Sequence, residues 1–462
     1  MLKSYPLSYI LWLRKDNNSI MRILLINTSD RTGGAAVAAN RLLKALQKKG
    51  IIANMLVRDK VTQDTSVVSI NTSVIKKLIN RIRFVWERLV IFLCNHLSKE
   101  NLFQVSIANT GTDILHSALV KEADVIHIHW INQGMLSLSD IKRLIDSGKP
   151  VVWTLHDMWP ATGVCHYAGL CDQYRLECTQ CPMMKHPFFW NLALTVYRHK
   201  STIGLEKITF VGCSRWITEM CEQSRLLRNA SFYSIPNPID TALFKPHNKQ
   251  NVRGKYNLPI QKKLVLFAAA KVSDSRKGLT YLIEACHLLA ERHADIEILL
   301  MGSKADEIQC QLPVPSHQLG YVSSLEQIAE IYSLSDVFVI SSLEDNLPNT
   351  IMEAMACGTP CVGFQTGGIP EMIDHLKNGY VARYQDAEDL AQGITWVLDH
   401  PHPQQLAEAC VEKVKTHYSE EVIAGKYIAL YQKLMDKKRY ESLTRIYFTG
   451  SQTDIAFGCT EC

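Results

Sequence analysis

The sequence predicts an α/β protein made of two doubly wound units in series, facing one another across a cleft. Three observations predict it. Short apolar runs alternate along the chain with segments whose apolar residues recur every three or four positions. The alternation pauses at a proline-bearing stretch, 234–246, and starts again at 263. A length of 462 residues exceeds what one core usually holds, so two domains of roughly 200 residues each are expected.

In chain order, "RILLIN" (22–27) is a buried strand, and "AAVAANRLLKALQKKG" a helix ended by Gly50. "DVIHIHW" (124–130), "PVVWTLH" (150–156) and "ITFVGCS" (208–214) are further strands separated by helical segments, a rhythm that implies a parallel sheet covered by helices. "SIPNPIDTALFKP", with three prolines and no periodicity, is the linker. Then follow "KLVLFAAA", a helix from Lys277, "IEILLMG", "DVFVIS", a helix around Glu353 and "PCVGF". The expected domains are 21–236 and 237–435, the last helix able to pack back on the first. Residues 1–20 are expected to be an extension or misassigned start, and 436–462 a tail. Ligands of such sheets sit beyond the carboxyl ends of the strands.

Composition excludes several classes. With 47% hydrophobic and 21% charged residues the chain is neither disordered nor a multi-span membrane protein. The net charge of +5 comes without a Lys/Arg-rich block, so no nucleic-acid partner is expected. Fourteen scattered cysteines and no convincing export signal predict a reducing, cytoplasmic location. One segment breaks the rhythm. In 74–96, Val74, Leu78, Ile82, Val85, Trp86, Leu89 and Leu93 share a face opposite Lys76, Lys77, Arg81, Arg83 and Arg88. Either this helix lies peripherally on the inner membrane, its basic side toward anionic lipid, or it packs its apolar face on the sheet.

Three stretches carry chemistry. Gly33 and Gly34 stand where the first strand hands over to a helix, a start whose free N–H groups attract phosphate, although a tight turn needs the same residues. Lys271 at a strand end and Lys277 at a helix start can neutralise a diphosphate, or belong to a solvated basic turn. In "SSLEDNLPNTIMEAMACGTPCVGF" (341–364), Pro348 suits the first turn of a helix and leaves the N–H groups of Asn349 and Thr350 for an anion. Glu353 then stands one turn inside, placed to accept from ribose hydroxyls, and Asp345 precedes the helix, placed to accept from a sugar; helix-capping acids are the plainer reading.

The run from Asp345 to Glu353, with "EAMACGTPCV" and "GGIPEMI", resembles the signature of retaining glycosyltransferases of family 4, whose fold is GT-B, two Rossmann-like domains facing across a cleft. The resemblance covers roughly 21–435 and includes "IPNPID", Lys271 to Gly278, "LGYV" and "YSLSDVFVISS". "ADVIHIHWIN…VVWTLHDMWPATGVCHY" is similar to the subgroup that builds colanic acid and other bacterial exopolysaccharides. The resemblance implies a UDP-, GDP- or ADP-sugar donor and a lipid-linked or soluble glycan acceptor. It places Glu353 on the ribose, Asp345 on the donor sugar, Lys271 and Lys277 on the diphosphate, Gly34 on the phosphate side of the cleft, His156 at the reacting sugar, and Gly320 and Tyr321 along the base. Two positions depart from the pattern. Asp345 stands where the family has Glu, with Glu344 just before it, and Lys271 stands where the family has Arg.

No acidic pair of the DxD type ends a strand, so transfer without metal or cofactor is expected. Two rivals remain, a non-catalytic sugar-nucleotide-binding partner of a polysaccharide assembly complex and a sugar-nucleotide epimerase. Cys165, Cys171, Cys178 and Cys181 supply four ligands for zinc, or else remain unligated or redox-active thiols. Cys459 and Cys462 form a second CxxC. His127 and His129 alternate on one strand face, as core residues or as acceptor contacts.

Overall fold

The computed structural model describes residues 21–185, 191–271, 275–305 and 311–453. The expected extension 1–20 and the Cys459–Cys462 pair lie outside them. The first sheet contains β1 (Arg22–Ser29), β2 (Ile52–Asp59), β3 (Val67–Ser69), β4 (Val125–Ile128), β5 (Val151–Leu155), β6 (Thr209–Gly212) and β7 (Ser231–Ser234). Their order is β3-β2-β1-β4-β5-β6-β7, with all pairings parallel. The second contains β8 (Lys263–Lys271), β9 (Ile296–Ser303), β10 (Ser316–Gly320), β11 (Val337–Ile340), β12 (Cys361–Phe364) and β13 (Gly379–Ala382), again parallel, in the order β10-β9-β8-β11-β12-β13. Strand order reverses between β1 and β4 and between β8 and β11, the switch points where such sheets take ligands.

The strands read as continuous apolar runs because both faces are covered: past Arg22, all of β1 is buried. Helix α1 (Gly34–Lys48) lies close on this sheet through Ala36, Ala38, Ala39 and Ala45, whose small side chains allow close approach. Two further helices matter below. Helix α2 spans Val74–Cys94 and starts at Ser73, whose hydroxyl accepts from Lys76 N–H. Helix α3 spans Asn349–Ala356.

The last helix, α4 (Glu420–Thr453), returns to the first domain. Ile423, Ala424, Tyr427, Leu430 and Tyr431 pack with Ile23, Leu25, Met55 and Val152 beneath the first sheet. Each such large side chain contributes roughly 1.5–3 kcal/mol by burial.

Helix α2 corrects one expectation. Its apolar face does not pack on the sheet; Val74, Leu78, Ile82 and Trp86 are all more than half exposed. The buried side is polar. Glu87, with no exposure, accepts from the N–H groups of Ile107 and Ala108 and pairs with Arg88 at 3.2 Å. Arg88 donates to the Val105 carbonyl at 2.9 Å, and Arg83 donates to Asn80 and Thr112. The loop from 102 to 112 presents backbone polar groups that need partners, and those partners fix which way the helix turns. Arg83 and Arg88 therefore do not share an outer basic face with Lys76, Lys77 and Arg81.

Candidate functional site

The facing sheet edges enclose a cavity of about 680 Å³. From the first domain it is lined by the end of β1, the loop through Gly33 and Gly34, Trp130 after β4, and His156 and Asp157 after β5. From the second it is lined by Ala268 and Ala269 of β8, Lys277, and the loop from Ser342 to Thr350 that follows β11. Both switch points thus open into one space.

Two helix starts meet there. Gly33 precedes α1 with φ 92° and ψ 161°, backbone that only glycine adopts at ease, and no side chain caps the helix. Pro348 takes the N-cap position of α3 rather than its first turn, also without a side-chain cap. Neither helix has an acid in its first turn. The two touch, Asn349 Nδ2 donating to the Gly34 carbonyl at 3.1 Å. Each start carries roughly half a positive charge on its free N–H groups, so together they favour an anion between them.

Among the predicted donor residues, Lys277 sits on a short turn (Ser275–Lys277) just before a helix and lines the cavity, its Nζ 2.7 Å from Asp345 Oδ2. Asp345 lines it too, whereas Glu344 accepts from Gly169 N–H at 3.3 Å; burial pushes the Glu344 carboxyl up. The Asp345 loop is held by the glycine pair behind it, since a Cβ on Gly367 would lie 1.7 Å from the Asp345 carbonyl. Glu353 is buried below the cavity, where Oε1 takes a 2.6 Å bond from Arg41 of α1 and Oε2 a 3.3 Å bond from the Tyr332 hydroxyl. Gly320 ends the edge strand β10 and neither it nor Tyr321, 72% exposed, lines the cavity. Lys271 ends β8, with its side chain outside the described residues.

On the opposite wall His156 shares a 3.0 Å hydrogen bond with His129, and burial pushes its imidazole down to about 4. Asp157 accepts from His166 Nδ1 at 2.6 Å, Trp130 Nε1 at 2.9 Å and Trp159 N–H at 2.9 Å. Burial works to raise its carboxyl, and those donors nevertheless hold it below the usual range. His127 spends both nitrogens on Tyr431 and Thr154, at 2.6 and 2.7 Å, and is a core residue.

The cysteine loop takes its plainer form. Among the described residues no group of three or more His, Cys, Asp or Glu is placed to hold a metal, so the zinc reading of Cys165, Cys171, Cys178 and Cys181 has no geometric support. These thiols are free, and burial pushes Cys178 up to about 11, away from reactive thiolate. His166, adjacent in sequence, is committed to Asp157 and to Ser106 at 3.0 Å.

Sequence reasoning missed three residues. Arg41 lies on the buried stripe of α1, three residues past Ala38 and four before Ala45, and a cation on an apolar stripe is the signal that could have found it. Asn346 donates to the carbonyls of Leu155 and His156 and accepts from Ser214, tying the domains beside the cavity. Glu371 accepts from Arg215 and Trp216 N–H across the interface, capping a helix of the other domain.

Residues 262–400 match the family model described as glycosyl transferases group 1. The N-acetyl-alpha-D-glucosaminyl L-malate synthase of Bacillus anthracis is 24% identical over 44% of this chain and 54% of its own. The amylovoran biosynthesis glycosyltransferase AmsK of Erwinia amylovora is 30% identical over 30% of this chain and 37% of its own. The N,N'-diacetylbacillosaminyl-diphospho-undecaprenol alpha-1,3-N-acetylgalactosaminyltransferase of Campylobacter jejuni is 26% identical over 39% and 47%. The chain thus spans about half or less of these relatives. Solved structures agree over far more of it. Sucrose-phosphate synthase from Thermosynechococcus elongatus superposes with a TM-score of 0.65 at 20% identity, covering 90% of this chain and all of that one. Anabaena HepE in complex with UDP-glucose superposes at 0.59 and 16% identity, covering 89% and 100%. The two parallel sheets, their facing switch points and these likenesses show the GT-B fold, with residues 262–400 matching the glycosyl transferases group 1 model and part of the chain similar to a bacterial exopolysaccharide glycosyltransferase.

Proposed function

We propose that the cleft moves a sugar from a nucleoside-diphosphate donor to a glycan hydroxyl, with retention at the anomeric carbon. The observation that carries this reading is the meeting of two uncapped helix starts with Lys277 in one cavity. That arrangement fits a diphosphate, whose oxygens accept from free N–H groups while the ammonium supplies charge. HepE, with its bound UDP-glucose, and the undecaprenol-linked substrate in the name of the Campylobacter transferase support a UDP-, GDP- or ADP-sugar donor and a lipid-linked glycan acceptor.

Each residue then has a task. A phosphate entering the cavity draws Lys277 away from Asp345, and the freed carboxylate accepts from donor-sugar hydroxyls. As the glycosidic bond stretches, charge grows on the leaving phosphate, where Lys277 and the Asn349 and Thr350 N–H groups stabilise it. The acceptor hydroxyl attacks from the leaving-group face and passes its proton to the departing phosphate oxygen. His156, neutral at cellular pH, offers an imidazole to the reacting sugar, and Glu353, which does not line the cavity, takes the ribose only by giving up its bond from Arg41. Lysine and helix dipoles do the work of a divalent ion, so transfer proceeds without one, in a cytoplasmic enzyme.

Thermal stabilisation by a panel of UDP-, GDP- and ADP-sugars tests the donor. A ligand at 100 times its dissociation constant adds about 2.7 kcal/mol. A panel that leaves the melting temperature unmoved removes the donor reading. Loss of transfer on chelation, with folding intact, removes the metal-free step.

A further inference from the structure

We propose that the outward face of α2 is a docking surface for an anionic phospholipid bilayer. Nine large apolar side chains of this one helix stand 41–85% exposed, far beyond the scattered apolar residues of an ordinary surface. They run the full length of the helix, about 30 Å at 1.5 Å per residue, within an arc of roughly 140°. Such a long straight stripe suits a plane better than a groove.

Charge selects the kind of plane. The only acid of α2, Glu87, is fully buried and paired with Arg88, whereas Lys76, Lys77 and Arg81 are exposed. The outer half of the helix therefore carries three cations and no anion. Lys77 and Arg81 flank the apolar stripe on one side and Lys76 on the other, so their stems can lie along it while the charges reach headgroup phosphates. Anionic lipid is the surface such a flank attracts.

The inner face of the same helix leads to the cleft. Arg88 Nη2 lies 3.4 Å from Ser106 Oγ, which bonds His166 Nε2 at 3.0 Å, and His166 Nδ1 donates to Asp157 of the cavity wall at 2.6 Å. Docking α2 on a bilayer thus fixes the acceptor side of the cleft relative to that bilayer. The surface is separate from the cleft, and the inference stands whether or not the cleft takes a nucleotide sugar.

Flotation of the full chain with vesicles tests it, using phosphatidylcholine alone or mixed with phosphatidylglycerol, at low and high salt. The expected result is binding to the phosphatidylglycerol vesicles that salt weakens and that pure phosphatidylcholine does not match. The variant Leu78→Ser/Ile82→Ser/Trp86→Ser should bind at least about tenfold more weakly, with an unchanged melting temperature because those side chains are exposed. Lys76→Gln/Lys77→Gln/Arg81→Gln should lose the preference for phosphatidylglycerol and keep the melting response to nucleotide sugars. Wild-type protein that floats with neither vesicle overturns the proposal. So does an apolar-face variant that floats like wild type, or a wild-type dimer that this variant makes monomeric, since a second copy would then cover the face.

Discussion

The two walls of the cleft hold their charges in different ways. On the first-domain wall Asp157 is satisfied by His166, Trp130 and Trp159, and His156 by His129, all from the same domain. On the second, Lys277 is held by Asp345, and Glu353 by Arg41 from across the interface. A buried group with several partners, as Asp157 has, is fixed before a ligand arrives, whereas Lys277 and Asp345 form a lone, partly exposed pair in the cavity. Cations and carboxylates that hold one another can exchange partners when a phosphate enters.

The largest test of this contrast is acid. Burial pushes His127 down to about 3 and His156 to about 4, from 6.5, and burial with the charges of its two neighbours holds His129 well below it. Between 6.5 and these values the unfolded chain binds protons that the folded chain refuses. Stability from these three histidines is therefore complete above pH about 6.5 and is lost as pH falls through about 4, with about 3 kcal/mol from His156 alone. Melting temperature measured against pH should fall steeply over this window. His127→Gln should soften the fall. A melting temperature level from about pH 7 to 4 would mean that these histidines are not held neutral.

Next in size is the pair that joins the walls. Arg41 and Glu353 are 9% and 12% exposed at the side chain. Removing either partner strands a buried charge at about 3–5 kcal/mol, whereas Arg41→Met with Glu353→Leu should recover most of that loss. Denaturant unfolding of the two single variants and the double closes the cycle. Single losses below about 1 kcal/mol would place the pair in water rather than in the interface.

Lys277→Ala should act on turnover and leave folding nearly alone, because its partner Asp345 can turn to solvent in the open cavity. The expected loss in kcat/KM is about 10²–10³-fold, or roughly 2.7–4 kcal/mol of transition-state stabilisation. Lys277→Arg should restore much of it. An equal loss of stability and turnover would make Lys277 a structural residue and erase the contrast between the walls.

The same contrast explains what was legible in the sequence. Both sheets and the helix starts could be read because each is a local pattern: apolar runs, Gly-Gly after a strand, a proline at the head of a helix, although Pro348 stands at the N-cap and not in the first turn. Lys277, Asp345 and His156 came with them, since the ends of strands at a switch point must face the cleft. What stayed hidden depends on contacts between distant residues. Arg41 and Glu353 are separated by 312 positions, and Asn346 reaches back 190 to the His156 carbonyl. Helix α2 shows the limit most plainly. Periodicity gave its two faces, but the loop carbonyls and N–H groups that claim Glu87 and Arg88 decided which face turns inward. Gly320 and Tyr321 were carried by resemblance alone, and the cavity as it stands does not reach them.

The smallest expected effect lies at the seam between the walls. A Cβ on Gly33 would meet nothing within 4 Å, so Gly33→Ala is opposed only by its backbone at φ 92°, a strain of about 1–3 kcal/mol. The chain can relieve that strain by rotating the peptide that opens α1, which turns its first N–H groups away from the cavity. Gly33→Ala should therefore melt only slightly below wild type while its stabilisation by a nucleotide sugar shrinks by more than its stability does. Equal responses from variant and wild type to the same donor would confine the phosphate to Lys277 and α3. The first wall would then hold the acceptor alone.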